Sequence, residues 1–245
     1  MERAMLMTDA YKKYEGEVSI PELRALSMKE IFSRKTITIE DGELIVGDKG
    51  AGPQSTPTFP ELCCHTLEDM KVMNDRELIC FKVSDEDMKQ QEETIIPFWE
   101  KRSIRHKIIN SMSQEWKDCY EAGIFTEFME QRGPGHTVGS EKIYAKGFLD
   151  YQEDIEEAIA AIDFLNDPEA IEKRDELRGM SIMCDAIMIL GKRYAALARE
   201  LAEKEVTLYV RKNCCRLPQT VTSFRHISRR PTGRRFRCTG LYTSV

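Results

Sequence analysis

Between Asp167 and Leu201 the apolar residues Met180, Met183, Ile187, Leu190, Tyr194, Leu197 and Leu201 recur at alternating spacings of three and four. This spacing predicts a long amphipathic helix, with Asp167 placed to cap it and Pro168 at its first helical position. A helix of this kind needs a partner for its apolar stripe, and the preceding stretch DYQEDIEEAIAAIDFL has the matching period. The stripe of Met and Leu is therefore read as core packing and not as a cofactor box.

Helical spacing also marks RAMLMTDAYKKYEG and IPELRALSMKEIFSRK, with Gly16 and Pro21 as punctuation, and a further short helix is expected in CCHTLEDMKVMND. Ser84 and Asp87 have capping-box spacing, and Pro97 should kink or divide the helical region that follows. EWKDCYEAGIFTEFMEQR is expected to run helically until Gly133-Pro134-Gly135-His136 stops it. The exception is TITIEDGELIVG, two β-branched runs joined at Asp41-Gly42, which predicts a small β-hairpin. The stretch DKGAGPQSTPTFPE after it is a loop. The fold class expected is mainly α with one small hairpin.

The 245 residues can bury a core, with 41% hydrophobic content. No run of about 18 apolar residues and no signal-peptide layout occurs, which predicts a protein outside the membrane and in the cytoplasm. Eight cysteines without a repeating framework suit reduced thiols. The charge is uneven: residues 206–245 hold nine Lys or Arg and no Asp or Glu, leaving 27 basic against 42 acidic residues before them. A basic tail of this kind is either a nucleic-acid-binding arm or a stretch of different origin.

Few residues offer chemistry. Cys63, Cys64 and His65 are consecutive and no second pair stands at ligand spacing, so a tetrahedral metal site is not expected. Neither His106 nor His136 can be placed beside a cysteine from sequence, and GPGH lacks the Lys-Ser/Thr of a phosphate loop. FTEFMEQRGPGHTVGS stands apart, because His136 lies on irregular backbone at a helix end and Phe128 could wall an apolar pocket. The plainer alternative makes Phe128 core and His136 a helix cap.

The segment EFMEQRGPGHTV resembles the EFxEQRxPGHTV signature of the glycyl radical enzymes, the pyruvate formate-lyase-like superfamily. DGELIVGDKG, FPELCCHTLEDM, EETIIPFWEKR, IYAKGFLDYQEDIE and ILGKRYAALARELAE follow the family order, so that the resemblance covers residues 1–205. Cys63-Cys64-His65-Thr66 and the GHTV and KGFLD wording are most similar to the branch that dehydrates trans-4-hydroxy-L-proline. The glycerol dehydratases, choline trimethylamine-lyases and formate acetyltransferases are the alternatives.

The resemblance implies the N-terminal portion of a ten-stranded α/β barrel wrapped by helices, and a homodimer at full length. It also implies a glycyl radical near the family's C-terminus, installed by a partner activase using S-adenosylmethionine and an iron–sulfur cluster. That radical generates a cysteine thiyl, which abstracts hydrogen from the substrate, 4-hydroxyproline or a related small molecule. By motif position, Phe128 and His136 would line the substrate pocket. The thiyl cysteine, its companion Glu and the radical glycine lie beyond residue 245 in the family, so no catalytic residue, no metal ligand and no directly bound cofactor is expected here.

The tail has no helical or strand period. One permitted back-translation from Pro218 onward, read one base earlier, encodes ANCDVVPAHKPETYRQAIQMYWFIHIG, which resembles the family's continuation. Residues 206–245 are therefore expected to be out of frame and disordered, with no nucleic-acid role and no membrane role. The rival reading is a non-catalytic helical binding protein whose basic tail binds nucleic acid, which predicts salt-sensitive binding of DNA or RNA.

Overall fold

In the computed structural model, residues 1–40, 43, 46–47, 50, 55–78, 80–125 and 145–204 are described. Among them the chain is helical, with no strand. The expected hairpin turn at Asp41-Gly42 lies outside the described residues; beside it, the Glu43 N–H donates to the Glu40 carbonyl at 3.1 Å. The chain divides into two compact units, Met1–Thr8 with Gly52–Thr137, and Asp9–Ala51 with Val138–Val245.

The first unit begins with the opening turns of α1 (Glu2–Tyr14) and continues through α3 (Leu67–Asp75), α4 (Asp85–Gln90), α5 (Ile96–Trp99), α6 (Ile104–Ser111) and α7 (Gln114–Glu121). Its core gathers Met7, Met70, Ile95 and Trp99. Trp99 Nε1 donates to the buried Thr8 hydroxyl at 2.7 Å. Arg3 pairs with Glu61 at 2.5 Å, donates to the Thr58 carbonyl and lies over the Phe59 ring. Short helices need their free N–H groups satisfied. Thr66 and Asp69 exchange backbone-to-side-chain hydrogen bonds at the start of α3 (3.1 and 2.8 Å), and Ser84 and Asp87 do the same at α4 (3.1 and 3.0 Å).

Pro97 divides the α-helical region, as expected, but does not end it. The chain stays helical through it, because Gln91–Ile95 widens into a π-turn in which the Ile96 N–H donates to the Gln91 carbonyl. Proline has no N–H for the ordinary bond and its ring crowds the carbonyl four residues back; one wider turn removes both conflicts. The helical run ends after Trp99.

The helix expected to reach Gly133 also stops early, at Glu121. Gly123 adopts φ +71°, its N–H donates to Tyr120 O and the Ile124 N–H to Cys119 O. That paired closure around a left-handed glycine satisfies the last carbonyls and turns the chain away.

The second unit holds the end of α1, then α2 (Ile20–Arg34), α8 (Phe148–Ala160) and α9 (Ala170–Lys204). α9 is the long helix expected, beginning after a turn in which Asp167 accepts from the Glu169 N–H. It packs on α8, as its stripe required, and more extensively on α2. The face it buries overlaps the expected stripe at Leu190 and Tyr194 and is otherwise carried by small residues, Gly179, Ala186, Gly191, Ala195, Ala198 and Ala202, whereas Met180 of the stripe is exposed. Small residues let helix backbones approach, and Gly179 sits against Pro21 at the head of α2. At the other end Arg193 donates to the Phe32 and Lys35 carbonyls (2.7 and 2.8 Å), closing the C-terminus of α2.

Candidate functional site

Phe128 and His136 lie outside the described residues, within 126–144. The structure describes the shoulders of that segment, each in its own unit. On the N-terminal side Ser113 caps α7 by accepting from the Trp116 N–H, and the turn at Gly123 delivers Phe125 to the rings of Trp116 and Tyr120. The Trp116 and Phe125 centroids are 5.1 Å apart in an edge-on arrangement, a geometry the ring quadrupoles favour. Arg105 donates to the Tyr120 hydroxyl at 3.2 Å. The residue three places before Phe128 is thus held by an aromatic cluster. On the C-terminal side, Gly147 starts α8 by donating its N–H to Asp150 at 2.8 Å, and Lys146 pairs with Asp154.

Two of the thiols are poorly suited to nucleophilic work. Burial pushes the Cys64 thiol up to about 11, with the charges of Cys63 and Glu100 adding to it. Burial likewise pushes Cys184 up to about 11, with Asp185 adding. Both are protonated at neutral pH, the opposite of an activated thiolate. His65 Nδ1 lies 3.8 Å from Asp69, and His106 Nε2 lies 3.2 Å from the Asn110 amide. Among the described residues no group of three or more His, Cys, Asp or Glu could hold a metal ion, and no helix is long and apolar enough to cross a membrane.

One polar residue escaped the sequence reading. Gln91, at the start of the π-turn, is 1% exposed. Its Nε2 donates to the His65 carbonyl at 2.6 Å and lies 4.0 Å from Cys64 Sγ, while its Oε1 is buried without a partner. Glutamine in a run of charged helix formers gives no sign of burial; the one available signal was Pro97, six residues on, which forces the local widening.

Comparison with known proteins adds what the described geometry lacks. A family model described as pyruvate formate lyase-like matches residues 1–220. Trans-4-hydroxy-L-proline dehydratase of Clostridioides difficile is 56% identical over 220 residues, covering 90% of this chain and 28% of that protein. A crystal structure of hydroxyproline dehydratase from the same organism, with trans-4-hydroxy-L-proline bound, superposes with a TM-score of 0.85 over 90% of this chain and 28% of that one. The glycerol-bound B12-independent glycerol dehydratase of Clostridium butyricum superposes with a TM-score of 0.81 at 26% identity, over 91% of this chain and 28% of that one. The chain thus spans little more than a quarter of the length of these relatives.

Proposed function

The chain belongs to the pyruvate formate lyase-like family, and from that membership we propose that it is the N-terminal portion of a glycyl radical dehydratase acting on trans-4-hydroxy-L-proline. The reaction is radical elimination of water to give 1-pyrroline-5-carboxylate. One observation carries this reading: identity is 56% to the hydroxyproline dehydratase but 26% to the glycerol dehydratase over nearly the same span. The helices are assigned to the outside of the family's ten-stranded barrel, with Phe128 and His136 on one wall of the substrate pocket. The partners are an S-adenosylmethionine-dependent activase and, at full length, a second copy. The family mechanism assigns its thiyl cysteine and radical glycine to stretches beyond the matched quarter, so the 245 residues by themselves are expected to give no turnover.

The test is a hybrid in which residues 1–205 replace the matching part of the C. difficile enzyme, activated without oxygen and assayed with hydroxyproline and glycerol. Hydroxyproline-dependent formation of 1-pyrroline-5-carboxylate is expected. A hybrid that carries the glycyl radical by electron paramagnetic resonance yet leaves hydroxyproline untouched overturns the reading. In the same hybrid His136→Ala should lower kcat on the order of 100-fold, the usual scale for a lost proton-transfer or positioning group. An undiminished rate removes His136 from the site.

We propose a shifted reading frame within residues 206–245, in place of one that spans all of them. The family match continues to residue 220, inside that stretch, so the parent nucleotide sequence must be read across this interval. An uninterrupted frame with no family continuation in the neighbouring frame would exclude the shift.

A further inference from the structure

In the second unit, the hairpin of α8 and α9 is rich in acids: from Asp150 to Glu176 it holds eleven Asp or Glu against two Lys or Arg. Some are engaged locally. Asp150 accepts from the Gly147 N–H, Asp154 pairs with Lys146, Asp167 and Glu169 with Lys173, and Asp175 with Arg174. Glu153, Glu156, Glu157, Glu172 and Glu176 are exposed and, among the described residues, make no ion pair. Glu153, Glu156 and Glu157 stand three and four apart and so share a face of α8, while Ile155 is buried and Gln152 bonds Asp185 of α9. Glu172 and Glu176 are one turn apart at the head of α9. Like charges at these spacings repel, and a polycation laid along them relieves the repulsion. The turn between the helices adds apolar surface: Asp163 accepts from the Leu165 and Asn166 N–H groups at 3.0 and 3.2 Å, and Phe164 and Leu165 are 51% and 95% exposed.

The chain carries a polycation of matching composition. Residues 206–245 hold nine Lys or Arg and no Asp or Glu, with Phe224 and Phe236 set among the arginines. This stretch begins two residues after the end of α9, which decides what it can reach. Asp185, where α8 touches α9 through Gln152, lies 19 residues before Lys204, about 30 Å along a helix rising 1.5 Å per residue. Arg225 stands 21 residues beyond Lys204, a span of up to about 70 Å of extended chain. The acid-rich stretch of the first unit, Ser84 to Glu93, offers less: five acids and one base, with Asp87 already bonded to the Ser84 N–H and the Met1 amine.

We propose that residues 206–245 dock on the chain's own acidic hairpin, their arginines against Glu153, Glu156, Glu157, Glu172 and Glu176, as an intramolecular electrostatic latch. The latch depends on the tail as translated, whichever frame it comes from. Each exposed pair contributes little, but tethering presents the partner at an effective concentration on the order of millimolar, and the pairs act together. Salt screens such contacts, so the latch opens as ionic strength rises. Docked, the tail's charge is already matched within the chain, and a nucleic acid has to compete for it.

The test is timed trypsin digestion of the 245-residue chain, with cleavage after Arg225, Arg229 and Arg234 followed by mass spectrometry against a free peptide of residues 206–245. In low salt the tail of the intact chain should be cut about ten-fold more slowly than the peptide, the scale of several exposed pairs acting together. In about 1 M salt, where the Debye length is about 3 Å, the two rates should converge. Glu153→Gln, Glu156→Gln and Glu157→Gln together should bring the low-salt rate towards that of the peptide. A tail cut at the peptide's rate in low salt, or protected equally in the triple variant, overturns the latch. Protection that grows with protein concentration places the tail on a second copy, and protection that appears only with added DNA makes it a nucleic-acid arm; either result overturns the proposal. Should the triple variant lose its helical circular dichroism, the parent decides: a ratio of chain to peptide rates that does not change with salt refutes docking.

Discussion

An alanine at Gly179 would place its Cβ 3.1 Å from the Pro21 carbonyl oxygen and 3.2 Å from the carbonyl carbon. Alanine is the better helix former by up to about 1 kcal/mol, but overpacking against backbone costs about 1–3 kcal/mol, so Gly179→Ala should lower the urea midpoint. Gly123 differs: nothing lies within 4 Å of its virtual Cβ, and the constraint is φ +71°. Gly123→Ala should cost about 1 kcal/mol through conformation alone, and Gly123→Asn should recover part of it, because asparagine tolerates the left-handed region. Both are measured by denaturant unfolding with an unchanged slope. Gly123 could have been found in the sequence, where Ala-Gly-Ile follows the helix, but the helical period running past it into TEFMEQR hid the stop. Gly179 could not, since which residue meets it is decided by α2, some 150 residues away in sequence. Gln91 escaped for the same reason.

At the level of elements, Lys29 of α2 and Gln152 of α8 both bond the Asp185 carboxylate of α9, at 3.1 and 2.9 Å. Burial pushes the Asp185 carboxyl up, but the hydrogen bonds from Gln152 and Lys29 outweigh it and hold it below the ordinary 3.8. A lowered folded value means that this contribution is fully present above about pH 3.8 and is lost as pH falls through the folded value. The stability difference between the wild type and Asp185→Asn should therefore be constant near neutrality and shrink below about pH 4 in acid unfolding curves. It should be small, because Asp185 is 43% exposed and solvent screens it. The helices themselves were legible: capping boxes at Ser84 and the period of α9 are local signals. Which face α9 buries was legible only at Leu190 and Tyr194, because the glycines and alanines around them carry little hydrophobic weight, yet their size is what admits α2. The segment 126–144 that carries Phe128 and His136 could be read as a pocket wall only by resemblance; its local pattern taken alone favoured a capped helix.

For the molecule as a whole, several large apolar side chains face solvent, among them Leu165 at 95%, Ile20 and Leu78 at 82%, and Ile124 at 72%. Scattered exposed apolar residues are ordinary, but a chain matching little more than a quarter of its relatives should leave uncovered what the rest of the fold would cover. Concentration-dependent self-association in sedimentation velocity is expected, reduced by Leu165→Glu with Ile124→Glu; a monomer at all concentrations would refute it. The division of α1 between the two units has a consequence for dissection. Cutting out residues 52–137 would keep Trp99 and Glu61 but discard the Thr8 hydroxyl and the Arg3 guanidinium that bond them. Residues 1–8 are then the small half of a complementation pair: supplied as a peptide in trans, they should restore order to a segment that loses it when alone.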